Sequence, residues 1–465
     1  MNEGLTVPCG WTLALLKDVS RKIVDGSHNP PPKQEMGFPM LSARNIAWGA
    51  IEFSEFRYIE KDAFEAERKR ADLQPDDVLL TIVGTIGRAA VIPQAAGQFA
   101  LQRSVAMIRP NGLDSKFCMF QLLSERVQKW LRDSARGSAQ QGVYLKTLGT
   151  LPMLVAPLPE QRRIVAEIEK QFTRLEAGVA ALRRAQANLK RYRAAVLKAA
   201  CEGCLVPTEA ELAKTGSRKA KFETGEALLA RILTERRQNW KGRGEYKEPA
   251  APDTIKLPPL PNGWTWATLD ALAGIKGGIT KDQNRKHTAP TRSVPYLRVA
   301  NVQRGYIDLT EVKEIVTTED EIQELALRPG DILFNEGGDR DKLGRGWVWN
   351  GELPECIHQN HVFRARIYVG TLNPKLVSWY ANTFGQKFFF DEGKHTTNLA
   401  SISMTKIKGL PVPIPPPAEQ TRIVAEVERR LSVVEELEAV VSANLQRATR
   451  LRQSILQKAF TGGLA

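Results

Sequence analysis

Large apolar residues recur every seven positions along two stretches of this chain. Ile168, Leu175, Leu182, Leu189 and Val196 mark the first, and Val427, Val434, Val441, Ala448 and Ile455 mark the second. A seven-residue period held this long is the pattern of a coiled-coil seam rather than of a globular helix face. Secondary positions Phe172, Val179 and Tyr192, then Leu431, Leu437 and Leu451, widen each seam only to what one partner helix would cover. Gly178 is the only Gly or Pro before the end of the first stretch, and the second has neither before Gly462, so each reads as one long helix.

The two helices are copies. Glu160 to Leu205 returns without a gap as Glu419 to Leu464, with Glu160/Glu419, Gln161/Gln420, the run Arg163 to Glu167 (Arg422 to Glu426), Arg193/Arg452, Leu197/Leu456, Gly203/Gly462 and Leu205/Leu464 identical. The preceding segments repeat as well. Pro8, Gly10, Trp11 and Thr12 return as Pro261, Gly263, Trp264 and Thr265, and Asn45, Gly49 and Ile51 return as Asn301, Gly305 and Ile307. Leu73-Gln-Pro-Asp-Asp-Val-Leu79 returns as Leu327-Arg-Pro-Gly-Asp-Ile-Leu333, a turn feeding a buried strand, and Gln102, Val105 and Arg109 return as Gln359, Val362 and Arg366.

Short β-rich runs broken by Gly and Pro, with helical patches near Phe117 to Trp130 and Pro374 to Phe390, predict an α+β fold of two similar mixed domains, each followed by a long helix. The expected organisation is a first domain over 1–159, a helix over 160–205, a linker over 206–258, a second domain over 259–418 and a second helix over 419–465. The linker holds a basic turn region, a helix within 222–241 (Thr224 to Trp240, apolar at Leu228, Ile232 and Leu233) and a Pro-rich extended exit.

Net charge is +14 and the pI is near 9.5, which calls for an anionic partner. DNA, RNA and an acidic membrane would all satisfy it, but narrow helix seams suit a membrane surface poorly, so nucleic acid leads. The chain lacks an 18-residue apolar run and a signal-peptide layout, and its five scattered cysteines fit a reducing compartment, so a cytoplasmic location is expected.

Catalytic signatures are present only as fragments. Asn29-Pro-Pro-Pro32 lacks the aromatic that follows Asn-Pro-Pro in amino-methylating enzymes, and the chain has no GxxxxGK[ST] phosphate loop. Cys201-x-x-Cys204 has no second ligand pair nearby, and its duplicate carries Phe460 and Gly463. Asp76-Asp77 fits a turn better than a nuclease cluster. No catalytic residue, metal site or cofactor is therefore expected in this chain.

The halves differ most at 25–35 against 278–292, at 81–88 against 335–345, and at 137–146 against 395–404. These stretches are rich in side chains whose donor and acceptor geometry can read base edges. Candidate DNA contacts are Arg44, Arg88, Gln102, Arg103, Gln140 and Gln141 in the first half, and Arg298, Arg340, Arg345, Gln359, Asn360 and Asn398 in the second. Gln102 and Gln359 are shared, which leaves a common structural bond as an alternative. Chain order favours an antiparallel helix pair, with the helices as a ruler of about 60 Å at ~1.5 Å per residue. Two dissimilar readers on one approximate two-fold frame predict a split, asymmetric target.

Over essentially its whole length the chain resembles the specificity subunit of type I restriction-modification systems. The resemblance is carried by the Pro-x-Gly-Trp-Thr starts, the Leu-x-Pro-x-Asp-(Val/Ile)-Leu turns, the doubled Glu-Gln-x-x-Ile-Val-Ala-Glu-(Ile/Val)-Glu helix starts, and the ends at Leu197-Lys-Ala and Leu456-Gln-Lys-Ala-Phe-x-Gly-x-Leu. It implies two target-recognition domains and an antiparallel coiled coil. It also implies assembly with two DNA adenine-N6 methyltransferase subunits and with restriction (translocase) subunits. S-adenosylmethionine, ATP and Mg would then belong to the partners, and the central helix would be a docking surface. The alternatives are the recognition subunit of a fused methyltransferase-nuclease and a stand-alone DNA-binding regulator.

Overall fold

A computed structural model describes residues 7–137, 141–215, 222–240, 244–281, 289–338, 342–368, 370, 372–395 and 400–464. The chain packs as two compact units. The first is 1–185 with 440–465, and the second is 186–439. Each unit therefore takes one reader domain and a part of both long helices.

The readers share one topology. In the first, Thr12–Leu15 pairs antiparallel with Pro152–Val155, bringing the start of the domain to its end. A four-stranded antiparallel sheet follows in the order Ser20–Asp25, Val105–Pro110, Val78–Thr81, Ala89–Val91. A three-stranded sheet sets Phe38–Leu41 between antiparallel Arg57–Ile59 and parallel Ala100–Leu101. The second reader repeats this with Thr265–Thr268 on Pro411–Ile414, with Ala273–Lys276, Val362–Ile367, Ile332–Asn335 and Gly346–Val348, and with Thr291–Leu297 between Lys313–Thr318 and Ile357–His358. Helices Ser115–Leu123 and Glu125–Ser134 cover the first sheet, and Pro374–Thr383 and Gly385–Glu392 occupy the same places in the second. In the second reader Gly337–Gly338, Ala400–Ser401 and Lys394–His395 form a small sheet, where the first has antiparallel bridges from Gly142 to Val83 and Arg136.

The residues kept in both halves hold this scaffold. Asp77 takes a bidentate Arg109 at 2.8 Å on each oxygen, and Asp331 takes Arg366 at 2.7 Å on each. The same carboxylates accept the backbone N–H of Gln74 and Arg328, so Asp76-Asp77 is part of a turn clamp. Asn45 donates its amide to the carbonyls of Glu52 and Glu55, and Asn301 donates to those of Asp308 and Glu311, closing the same loop twice.

The long helices run over Leu158–Cys201 and Pro417–Phe460. They stop short of the expected Leu205 and Ala465 because Gly203 and Gly462 turn left-handed, at φ +71° and +82°. In the first unit Arg452 meets Glu176 at 2.8 Å and its guanidinium lies 4.6 Å from the Phe172 ring centre. In the second Arg193 meets Glu435 at 3.6 Å and Glu438 at 3.1 Å. Position rises on one helix as it falls on the other, so the pair is antiparallel. Ile168, Val196, Val427, Val434, Val441 and Ile455 are buried along the seam, and Leu175, Leu182 and Leu189 are half-buried.

One expectation needs correction. Tyr192, Leu437 and Leu451 are 45, 46 and 50% exposed, because a two-helix seam covers a narrow stripe and leaves these flanking positions outside it. The central helix runs over Gly225–Gln238, and Leu228 and Ile232 are fully buried in one core with Leu269, Leu272 and Ile414. Its apolar face is thus consumed by the second reader, and Glu226, Arg231, Thr234 and Arg237 are exposed on its other side. A short helix, Glu209–Lys214, was not anticipated in the basic turn region; Thr208 and Glu211 form its capping box.

Each helix start is tied to its reader by an indole. Trp11 Nε1 donates to Glu160 at 3.0 Å, and Trp264 Nε1 donates to Glu419 at 2.9 Å. Glu419 is fully buried and burial raises its carboxyl pKa, whereas Glu160 is half-buried. Trp264→Phe should cost ~1.5–3 kcal/mol by removing a donor from a buried carboxylate, and Trp11→Phe should cost less. Urea unfolding of the two variants tests this, and equal losses would contradict it.

Candidate nucleic-acid interface

In the first reader the two sheets and their loops frame a groove of about 900 Å³. Its walls are Ser42–Arg44, Ser54–Tyr58, Val83–Thr85 and Gln102–Ser104, with Lys33 and Met40 beside them. Lys33, Arg44, Arg57 and Arg103 line it against a single acid, Glu55. Arg44 and Arg103 are exposed, and neither guanidinium has a partner among the described residues. An open wall with this excess of cations suits a phosphate backbone, and its Arg and Gln heads can reach base edges.

The floor of the groove is a tight turn present in both readers. Gln102 N donates to Leu41 O at 2.8 Å, Arg103 N to Ser27 O at 2.9 Å, and Val105 N to Gln102 O at 3.0 Å. In the second reader Gln359 N donates to Leu297 O, Asn360 N to Ile279 O and Val362 N to Gln359 O, all at 2.9 Å. What the shared glutamines have in common is therefore made by backbone. Among the described residues their side chains have no partner.

Arg44, Gln102 and Arg103 thus meet in one groove. Gln141 is exposed and its carbonyl accepts the N–H of Gly84 at 3.1 Å, which sets it on the same rim. Arg88 is elsewhere. Its guanidinium reaches Ile46 O at 3.5 Å, and Arg345, the equivalent residue, donates to Val299 O at 3.2 Å. Both are half-buried, which favours a scaffold role over base reading. Arg298 is tied to Glu311, donating to its carbonyl at 3.3 Å with the carboxylate at 3.6 Å. Gln359 and Asn360 sit on the second turn. Gln140, Arg340 and Asn398 lie outside the described residues.

Sequence reasoning missed Lys33 and Arg57, although Lys33 lies in a stretch that differs between the halves. Arg57 donates to Pro31 O at 2.8 Å. It also missed His361, exposed and 2.5 Å from Glu336, where the first reader has Ser104 and Ile82. The sequence fragments of catalysis stay fragments. Cys201 is buried and burial pushes its thiol up to about 12, so it holds its proton and is a poor metal ligand.

One core position differs in chemical kind between the readers. Leu101, buried in the first, is replaced by His358 in the second. Its Nδ1 bonds Val362 O at 2.7 Å, while Nε2 has no partner among the described residues. Burial lowers its pKa to about 4, with the hydrogen bond to Val362 O and the Asp331 carboxylate opposing that shift and Arg364 and Arg366 adding to it.

The fold and groove define a duplicated binding protein, with two readers of one architecture and different working surfaces. Among the described residues no helix is long and apolar enough to cross a membrane. The profile of the type I restriction modification DNA specificity domain matches residues 28–181. The EcoKI specificity subunit of Escherichia coli K12 is 22% identical over 98% of this chain and 90% of its own length. The StySPI specificity subunit of Salmonella potsdam is 22% identical over 100% and 91%. Among solved structures, a chain from a study of assembly and conformational transition of the type I restriction-modification system aligns with a TM-score of 0.66 at 19% identity, covering 99% of this chain and all of the other. The HsdS subunit of Thermoanaerobacter tengcongensis aligns at 0.54 and 19% over the full length of both. These likenesses are to specificity subunits of type I restriction-modification systems, and the two solved structures share the fold of this chain.

The buried histidine yields a prediction of its own. Between pH 6.5 and 4 the unfolded imidazole takes up a proton that the folded one refuses, so stability is lost as pH falls through that window and levels off below it. The loss should reach ~3 kcal/mol at ~1.4 kcal/mol per pKa unit. His358→Leu, restoring the residue of the other copy, should remove it. Urea midpoints of both proteins from pH 7 to 4 decide; parallel curves would rule the histidine out.

Proposed function

We propose that this chain reads a bipartite, asymmetric DNA target and directs adenine-N6 methylation, and restriction, by partner subunits. The supporting observation is the contrast between the two readers. They repeat the Asp–Arg clamp, the Asn loop closure and the turn backbone, yet they carry different side chains where the groove lies. Lys and Arg would supply affinity through phosphates, and the variable heads would supply base choice. Two identical methyltransferase subunits fit a duplicated frame, with restriction translocases joining for cleavage. S-adenosylmethionine, ATP and Mg would be held by those partners, and the complex would act in the cytoplasm.

The reading is tested by a genome-wide N6-methyladenine map, from single-molecule sequencing, in cells expressing this chain with its neighbouring methyltransferase and in cells lacking it. A split motif that appears only with the chain is the expected result. Unchanged methylation, or a continuous motif set by the methyltransferase alone, would discard the specificity role in favour of a DNA-binding regulator.

A further inference from the structure

We propose that the second residue of the duplicated turn is a specificity-determining residue, with Arg103 assigned to guanine in one half-site and Asn360 to adenine in the other. The assignment rests on the function proposed above and deepens it to individual bases.

The turn is held more tightly than a surface loop needs to be. Three backbone hydrogen bonds fix it in each reader. Beneath it runs a glycine that permits contact of main chain with main chain. A Cβ added at Gly26 would lie 2.1 Å from Leu101 O, and one added at Gly278 would lie 1.8 Å from His358 O. Neither position accepts a side chain, so the close approach is a requirement of the fold in both halves. A turn built this way launches its side chains from a fixed origin, which is what a reading position requires.

Within that fixed frame one residue is kept and the next is changed. Gln102 and Gln359 are the same and cannot account for two different targets. The following position goes from Arg103 to Asn360 with the same backbone bond made by its N–H. Arg103 is exposed in the groove, Asn360 is half-buried, and neither side chain has a hydrogen-bond partner among the described residues. The heads differ in the chemistry that distinguishes purines. A guanidinium fork donates twice, matching the O6 and N7 acceptors of guanine. A carboxamide donates to N7 and accepts from the N6 amino group of adenine. The rival role for Arg103 is a phosphate contact, which any cation could make.

The test uses the full chain expressed with its methyltransferase and the same N6-methyladenine map. Arg103→Asn should convert or relax one guanine of the first half-site and leave the second half-site and the spacer unchanged, which also shows that the variant folds and assembles. Arg103→Lys keeps the charge but loses the fork, and should relax the same position by ~5- to 150-fold. Asn360→Arg should alter one adenine of the second half-site alone. If Arg103→Asn lowers methylation uniformly with its motif intact and Arg103→Lys restores it, Arg103 is a phosphate contact and the assignment falls. A second half-site indifferent to Asn360→Arg overturns the assignment there. A split motif that ignores every substitution defeats this inference alone, whereas the absence of any split motif with the unsubstituted chain defeats the proposed function.

Discussion

A Glu-Gln pair in the first turn of each long helix is what the rest of the structure depends on. The glutamate accepts the indole N–H of Trp11 or Trp264 at the start of its reader. The glutamine reaches the reader's other side: Gln161 accepts the N–H of Asp114 at 2.7 Å, and Gln420 accepts that of Asn373 at 3.0 Å. Those residues cap the helices Ser115–Leu123 and Pro374–Thr383 that lie over the main sheet. Two adjacent side chains on a rigid rod thus hold a domain at its first strand and at a helix that covers its main sheet. A carboxylate at a helix N-terminus is also favoured by the helix dipole, so the pair suits both partners.

Duplication separates what holds the fold from what the fold presents. A bond that occurs in both halves between equivalent residues, such as Asp77 to Arg109 and Asp331 to Arg366, serves the frame whatever the target. A side chain that differs on an unchanged backbone does not. The same comparison moves Arg88 and Arg345 toward the frame, since both send a guanidinium into a loop carbonyl. A basic residue in a variable loop is a reader only when its head is left without a partner in its own domain.

The repeat, the helix pair and the α+β readers were legible because period and identity are properties of the chain itself. What was not legible depended on neighbours. Tyr192, Leu437 and Leu451 sit at apolar spacing yet face outward, because the width of the seam is set by the partner helix. The apolar face of the central helix looked available, and only the fold shows Ile414 and Leu269 covering it. Lys33 and Arg57 lie far apart in sequence from Arg103, and sheet pairing alone brings them to one groove. Composition could give the sign of the surface and not the place where it concentrates.

The two readers also manage charge differently. In the first, Arg44 and Arg103 face the groove without an acidic partner among the described residues. In the second, Arg298 is engaged by Glu311 and His361 by Glu336. An arginine already paired must give up that partner before it can bind a phosphate, so it would contribute less to affinity. Counterion release scales with the cations that actually reach phosphates, so Arg44 and Arg103 would add to it directly, whereas Arg298 would first have to leave Glu311.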